Sequence, residues 1–317
     1  MRLFITRPMP DAVIDRARKE FDAVLREETT PLSGDEMRAA LRDYDLVLPT
    51  LGDIFDAGVF ADVAEPRCRL LANFGVGFNH IDVNAAKAAG IRVTNTPGAV
   101  TDATADIAMT LILMSARRAA EGERLVRTGE WQGWHPTQML GLHASGRTVG
   151  IVGMGRIGQA IARRCHFGFG MDVRYFSRSP KELDFPAELD GSLAELAAAV
   201  DFLVISVPGG ADTRHLIGAD VFEAMQPHAH LINIARGDIV DEAALIAALE
   251  GGKIGGAGLD VYEYEPKVPA ALIALDNATL LPHLGTAALD VRTDMGQMAL
   301  DNVAAFVAGR DLPNPVN

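Results

Sequence analysis

A chain of 317 residues is long enough for two domains, and its formal charge of −13, with no basic run, argues against a nucleic-acid partner. No apolar run reaches membrane-spanning length, and the opening residues 1–8 read as a short strand stopped by Pro8, not as a secretion signal. Cys68 and Cys165, the only cysteines, lack the spacing of a metal site or a disulfide framework, so a reducing, cytoplasmic compartment is expected. The acidic balance does not exclude a small anionic substrate, because a few arginines can set a local field.

The first hundred residues alternate strand and helix. Residues 3–6 read as a strand, 11–21 place Val13, Ile14, Ala17 and Phe21 at helical spacing, and 22–25 form a second strand. Ser33 is suited to cap a helix bearing Met37, Ala40 and Leu41. Strands come next at 46–48, ended by Pro49, and at 70–72, ahead of Gly75-Val76-Gly77. A helix over 82–89, closed by Gly90, returns as a strand at 91–93. This alternation predicts a small parallel α/β unit.

Asn95-Thr96-Pro97-Gly98 reads as a linker. A long helix is expected over 101–128, with Ile107, Leu111, Leu113 and Met114 buried. Its length exceeds what a crossover requires, so two readings stand: a spare face for a subunit interface, or an ordinary core helix. Residues 129–136 form an irregular loop with both tryptophans of the chain, Trp131 and Trp134, which could pack locally or reach a partner's active site.

The stretch from 147 to 158 organises the second half of the chain. Val149, Ile151 and Val152 read as a buried parallel strand, Gly153-x-Gly155-x-x-Gly158 comes next, and Ile157, Ala160, Ile161 and Ala162 open a helix. This is the strand, turn and helix context of a dinucleotide site. Gly153 permits the tight turn, Gly155 admits the pyrophosphate and Gly158 lets the helix lie close to the strand. The phosphates would meet Arg156 and Ile157 at a helix N-terminus, where N–H groups and the dipole favour negative charge. Further strands are predicted at 172–176, 201–207, 231–235, 256–261 and 279–281, with a helix at 241–250 and a last one at about 287–308.

The glycine-rich unit therefore lies mid-chain, and the two ends share the other domain. The expected fold is α/β, with two doubly wound parallel-sheet domains and a cleft between them. A Rossmann cofactor domain (99–286) is inserted in a flavodoxin-like substrate-binding domain (1–98 and 287–317).

An NAD site usually carries Asp or Glu about 20 residues past the glycines, where it binds the ribose hydroxyls. Here Ser177-Arg178-Ser179 stands after the strand, with no carboxylate. An arginine between two hydroxyls suits a 2′-phosphate, so NADP(H) is expected, with NAD(H) as the alternative if Arg178 is only a solvated loop residue.

Polar residues also stand just beyond later strands: Arg236 after 231–235, Asp260 and Glu265 around 260–265, and His283 after 279–281. In open parallel sheets ligands bind outside the carboxyl ends of the strands, so these residues converge. Hydride transfer to a ketone needs a proton donor and a cation for an anionic substrate. His283 fits the donor, Arg236 the cation, and Glu265 a partner that keeps the imidazole charged. Each also has an ordinary structural reading, and Glu263 rivals Glu265 on spacing alone.

These segments resemble the D-2-hydroxyacid dehydrogenase family. The resemblance rests on residues 75–82, Asn95-Thr96-Pro97-Gly98, Thr104-Ala105-Asp106, the glycine turn, Asn233-Ile234-Ala235-Arg236-Gly237, Gly258-Leu259-Asp260-Val261, Glu265-Pro266 and residues 281–285, in the family's order. Ser177-Arg178-Ser179 and the 131–136 loop make the chain most similar to the glyoxylate/hydroxypyruvate reductases within it.

The resemblance implies that Arg236, Glu265 and His283 are catalytic, which selects Glu265 over Glu263 because it precedes the proline. It implies that Asp260 holds the nicotinamide carboxamide, that Thr104 contacts cofactor, and that Val76 and Gly77 bind the substrate carboxylate through backbone N–H groups. The expected cofactor contacts are Thr104, Gly153, Gly155, Arg156, Ile157, Gly158, Ser177, Arg178, Ser179, Val207, Pro208, Ala235, Asp260 and Gly285. Substrate contacts are Val76, Gly77, Arg236 and His283, and no metal is expected. His80, although in the substrate loop, reads as capping or structural, and His143, His215, His228 and His230 have no assignable partners.

The implied protein is a homodimeric, NADPH-preferring reductase of small 2-oxo acids such as glyoxylate or hydroxypyruvate. The alternatives are an NAD-dependent D-2-hydroxyacid dehydrogenase of another substrate, and a non-catalytic cofactor-sensing protein on the same fold.

Overall fold

The computed structural model describes residues 1–317, which divide into two compact units, Met1–Val100 with Ala287–Asn317, and Thr101–Thr286. The first unit runs β1 (Arg2–Ile5), α1 (Asp11–Glu20), β2 (Asp22–Leu25), α2 (Gly34–Asp43), β3 (Leu46–Leu48), α3 (Ala57–Ala61), β4 (Leu70–Ala72), α4 (Val83–Ala88) and β5 (Arg92–Thr94). Its five strands are all parallel, in the order β2-β1-β3-β4-β5. This is the flavodoxin-like order, with its reversal between β1 and β3.

Local chemistry sets these boundaries. Ser33 and Glu36 form a reciprocal capping box that starts α2. Asp56 caps α3, a helix too short for sequence periodicity to reveal, and Asp82 caps α4. Leu3 and Ile5 face one side of the sheet, where the C-terminal helix Leu289–Val307 lays Ala299, Leu300 and Val303 on them. A Cβ on Gly296 would stand 2.5 Å from Val13, so only glycine lets that helix lie this close to α1. The chain end then pairs back on β5, where Pro315 bridges Thr94 and Val316 N–H donates to Val93.

The second unit begins with α5 (Thr101–Ala116) and α6 (Ala119–Arg127). The single helix expected over 101–128 is thus two. Arg118 takes a left-handed φ of +53°, which breaks the helical path, and the Ala116 carbonyl accepts from Leu142 N–H at 2.7 Å. Hydrophobic spacing continues through 117–118, so the break left no mark on the periodicity.

The unit continues with β6 (Thr148–Val152), α7 (Arg156–Arg163), a π-helical turn Arg164–Gly168, β7 (Asp172–Phe176), β8 (Glu188–Leu189), α8 (Leu193–Ala199) and β9 (Phe202–Ile205). It ends with α9 (Ala219–Ala224), β10 (His230–Asn233), α10 (Glu242–Glu250), β11 (Gly256–Leu259), α11 (Ala270–Ile273) and β12 (Ala278–Leu280). The exposed β8 is a two-residue strand that the sequence does not announce, being too short for a periodic signal. Strand β9 stops at Ile205, so Val207 lies past the strand, not within it as the predicted range 201–207 would have it.

All seven strands are parallel, in the order β8-β7-β6-β9-β10-β11-β12. Counted from β6 this is the Rossmann order, with its reversal between β6 and β9. Both faces are covered: Leu203, Ile205 and Leu231 pack on one side, Phe202, Val204 and Ile232 on the other. Strands buried on both faces need near-continuous apolar runs, and these have them.

Buried His230 lies at the amino end of β10, with Nδ1 2.6 Å from Ser115 Oγ. Burial, reinforced by His228, pushes its pKa down to about 4, which makes it a neutral core residue at neutral pH. No helix is long and apolar enough to cross a membrane.

Candidate active site

The glycine turn is built for close approach. Gly153 has φ +97°, and a Cβ there would fall 2.7 Å from Val207. A Cβ on Gly158 would sit 2.2 Å from the Gly153 carbonyl, so α7 touches the turn directly. Ser206 Oγ donates to that same carbonyl at 2.6 Å and Gly153 N–H donates to Phe176 O at 2.9 Å, which anchors the turn to the strand ends on either side. A Cβ on Gly155 would meet nothing within 4 Å, so the backbone at the N-terminus of α7 is open to a ligand. Arg156 and Ile157 begin that helix. Open backbone ahead of eight helical residues fits a cofactor pyrophosphate.

At the end of β7, Ser177 Oγ donates to Ser179 O at 2.5 Å, and Lys181 Nζ donates to Ser179 Oγ at 3.0 Å. Arg178 is exposed beside them. The turn therefore carries two cations, of which Lys181 escapes a reading by spacing because it lies outside the usual position for a ribose contact.

Arg236, Asp260 and His283 come after the neighbouring strands β10, β11 and β12. Asn233 Oδ1 accepts from Ala235 N–H at 3.0 Å and Asn233 Nδ2 donates to Arg236 O at 2.8 Å, which shapes the turn carrying the guanidinium. A Cβ on Gly237 would lie 1.8 Å from the Tyr262 carbonyl carbon, so the Arg236 turn and the 262–265 turn are in direct backbone contact. Buried Asp260 accepts from the N–H groups of Leu284 at 2.6 Å and Gly285 at 2.7 Å, while its own carbonyl accepts from His283 N–H at 2.9 Å. These bonds hold His283 at φ +55°. Thr104 Oγ1 donates to Gly285 O at 3.2 Å and so joins α5 to the same turn.

His283 Nδ1 stands 2.8 Å from Glu265 Oε2, and Glu265 Oε1 accepts from Tyr262 N–H at 3.1 Å. Both carboxylate oxygens are therefore oriented. Glu263 is engaged elsewhere, with Arg214 at 2.9 Å and His215 at 3.0 Å. The side chain of His283 is 29% exposed, enough for its second ring nitrogen to meet a ligand.

The charges reflect these contacts. Burial alone would raise the Glu265 carboxyl, but the hydrogen bond and charge of His283, the Tyr262 N–H and Arg236 together hold it below the ordinary range. Burial pushes Asp260 up, against its two backbone donors and His283. Burial also lowers Arg236, with Glu265 and Asp238 opposing, yet a guanidinium starts so high that it stays charged. A buried guanidinium and a histidine–carboxylate pair thus stand on adjoining turns of one unit.

In the other unit, the loop after β4 is held through its carbonyls. Asn73 Nδ2 donates to Gly75 O at 3.1 Å and Gly77 O at 3.0 Å, and Asn95 Nδ2 donates to Val76 O at 2.9 Å. With the carbonyls so engaged, the N–H groups of Val76 and Gly77 have no protein acceptor. Successive N–H groups without a protein acceptor are open to an anion. Asn73 bonds within its own loop, whereas Asn95 is not legible in the sequence as the partner of Val76, since an asparagine gives no spacing signal for a carbonyl on another turn. His80 Nε2 lies 3.0 Å from Asn73 Oδ1, a structural contact.

The family model of the D-isomer specific 2-hydroxyacid dehydrogenase, NAD binding domain, matches residues 109–285. The chain belongs to this dehydrogenase family. Glyoxylate reductase of Thermococcus gammatolerans is 42% identical, covering 100% of this chain and 96% of its own length. Glycerate dehydrogenase of Hyphomicrobium methylovorum is 38% identical, covering 98% of this chain and 97% of its own. A crystal structure of an NADPH-dependent glyoxylate/hydroxypyruvate reductase from Sinorhizobium meliloti, with NADP and malonate, has a TM-score of 0.88 at 37% identity, covering 99% of this chain and 96% of that one. This dehydrogenase is accordingly an NAD(P)-dependent enzyme of 2-hydroxyacids, as its motifs implied.

Three histidines without an assignable partner in the sequence have one in the fold. His215 faces Glu263, His228 stands 2.7 Å from Asp201 and His230 meets Ser115. Trp131 and Trp134 are both exposed, on a segment outside regular secondary structure.

Proposed function

We propose that this dehydrogenase reduces a small 2-oxo acid of the glyoxylate or hydroxypyruvate kind, with NADPH preferred, using Arg236, Glu265 and His283. The observation that carries the reading is the 2.8 Å pairing of His283 with Glu265 on turns adjoining that of Arg236. The bound reduced nicotinamide supplies the hydride taken up by the carbonyl carbon. Glu265 accepts from His283 Nδ1 and fixes the ring, so the Nε2 proton is the one delivered to the carbonyl oxygen. The neutral imidazole is then reprotonated from solvent through its exposed edge. Arg236 binds the substrate carboxylate and polarises the carbonyl. The N–H groups of Val76 and Gly77 also donate to a carboxylate. Thr104, Val207, Pro208, Ala235, Asp260 and Gly285 contact cofactor, the open turn at Gly155 holds its pyrophosphate, and Ser177, Arg178 and Ser179 hold its 2′-phosphate. The relatives named for glyoxylate reduction support this substrate class.

The test tracks absorbance of the reduced nicotinamide with glyoxylate, hydroxypyruvate and pyruvate, each with NADPH and with NADH. NADPH with glyoxylate and hydroxypyruvate should be fastest, and inactivity with all three acids would remove the substrate assignment. In the same assay Arg178→Ala should raise KM for NADPH roughly 10- to 100-fold, the effect of losing one charge-assisted hydrogen bond, while sparing NADH. An equal change with both cofactors would overturn the 2′-phosphate reading.

We also infer a cytoplasmic location, which the two free cysteines favour, and a homodimer joined through the cofactor-binding unit, because Val126, Trp131, Trp134 and Leu140 expose apolar surface along one segment of it. Sedimentation equilibrium should give twice the chain mass, and a monomer at micromolar concentration would exclude the assembly.

A further inference from the structure

The connection leaving β9 does more than line a cofactor. Thr213 Oγ1 donates to Pro208 O at 2.8 Å and to Gly210 O at 3.2 Å, which closes residues 208–213 into a compact turn. The chain then runs beside the turn just past Arg236. His215 N–H donates to Asp238 O at 2.8 Å, and Ile217 N–H donates to Ile239 O at 3.0 Å. From this short segment two side chains reach the other catalytic turn. Arg214 Nη2 lies 2.9 Å and His215 Nε2 lies 3.0 Å from the same oxygen, Glu263 Oε1. Glu263 is only 8% exposed, and its N–H donates to Glu242 Oε1 at 3.2 Å, so the residue is held by both side chain and backbone.

We propose that Arg214, His215 and Glu263 form a strap that positions Glu265 against His283. The strap rests on the proposed catalytic roles of Glu265 and His283. None of its three residues touches the reacting atoms; they are positioning residues. Tyr262 N–H fixes Glu265 Oε1, so the angle of the 262–265 turn sets where Oε2 meets the imidazole. Gly237 supports that turn from the Arg236 side, and the strap holds it through Glu263. His215 adopts a left-handed φ of +49°, which few non-glycine residues accept without a compensating contact. Burial would raise the Glu263 carboxyl, but the bonds and charges of His215, Tyr264 and Arg214 keep it below its usual range, so it is an anion wherever the enzyme is folded near neutrality. The charged and titratable groups around Glu263 are Arg214, His215, Glu242 and Tyr264; those around Glu265 are His283, Arg236, Asp260 and Tyr262.

The test compares Glu263→Gln, Arg214→Gln and Glu265→Gln in the intact enzyme, with glyoxylate and NADPH. Glu263→Gln keeps shape and removes charge. Its kcat should fall roughly tenfold, since small misplacements of reacting groups cost up to about 10²-fold. The KM for NADPH should stay within about twofold, as for any group that acts on the catalytic step alone. Glu265→Gln should lose more of kcat than Glu263→Gln, because it removes the partner of His283 Nδ1 and not only the turn that orients it. The double variant of Arg214 and Glu263 should lose less than the sum of the two single losses, because both break the Arg214–Glu263 contact. Arg214 is half exposed, so Arg214→Gln keeps the test open if Glu263→Gln does not fold. Parent kcat in Glu263→Gln, with Glu265→Gln impaired, would overturn the strap alone. A loss matched by equal losses in cofactor binding and melting temperature would also overturn it, as general destabilisation. Parent behaviour in Glu265→Gln would instead bring down the catalytic assignment on which the strap depends.

Discussion

Replacing His283 by alanine should lower kcat for 2-oxo acid reduction by roughly 10²- to 10⁴-fold, the range for removing a positioned general acid. Hydride addition places negative charge on the carbonyl oxygen, and without a proton donor that alkoxide must wait for water. The imidazole is prepared for the task, since Nδ1 is committed to Glu265 at 2.8 Å and its other edge is accessible. The substitution should leave the fold intact. The left-handed backbone at 283 is held by the N–H bond to Asp260 O and by the Leu284 and Gly285 bonds to the Asp260 carboxylate, none of which uses the imidazole. Affinity for NADPH, read by fluorescence titration, should therefore change little. His283→Asn is the companion variant, since asparagine accepts positive φ more readily than alanine. Turnover near the parent value in either folded variant would remove His283 from the proton-donor role.

Arg236→Ala should reduce kcat/KM by roughly 10³-fold or more, combining lost carboxylate binding with lost stabilisation of the developing oxyanion, which alone is worth about 10²- to 10³-fold. The guanidinium enters the site carrying a burial penalty that Glu265 and Asp238 oppose. Lysine would keep a charge but not the planar fork, so Arg236→Lys should recover only part of the loss. Removing the cation also strips Glu265 of one of the charges that keep it ionised, alongside its bonds to His283 and Tyr262. Glu265, depressed in the fold, stabilises above the ordinary carboxylate range and loses that contribution as pH falls through its lower folded value. The acid edge of stability should accordingly move up in Arg236→Ala. Steady-state kinetics with glyoxylate and acid unfolding monitored by circular dichroism read the two effects separately. A kcat/KM within about fivefold of the parent would exclude direct contact with substrate, because losing even one such charged contact costs more.

The sequence by itself determined whatever depends on neighbours along the chain. Continuous apolar runs such as 202–205 and 231–232 specify strands covered on both faces, and Gly153, Gly155 and Gly158 specify a tight turn with open backbone ahead of a helix. Arg236, Asp260 and His283 fall beyond successive strands, so parallel pairing alone brings them to one edge of the sheet. Their order along the chain was enough for the family resemblance.

Tertiary structure decided what depends on contacts between distant segments. Spacing alone could not separate Glu263 from Glu265, because two carboxylates on one irregular turn have no periodicity to say which way each faces. In the fold one meets His283, 18 residues away, and the other meets Arg214, 49 residues away. The break at Arg118 depends on a carbonyl captured by Leu142, and the carbonyl of Val76 is held by Asn95, 19 residues away. Hydrophobic periodicity reports which face of an element is buried. A single long-range hydrogen bond alters no such pattern, and these bonds, not the strands, set the orientation of each polar group in the site.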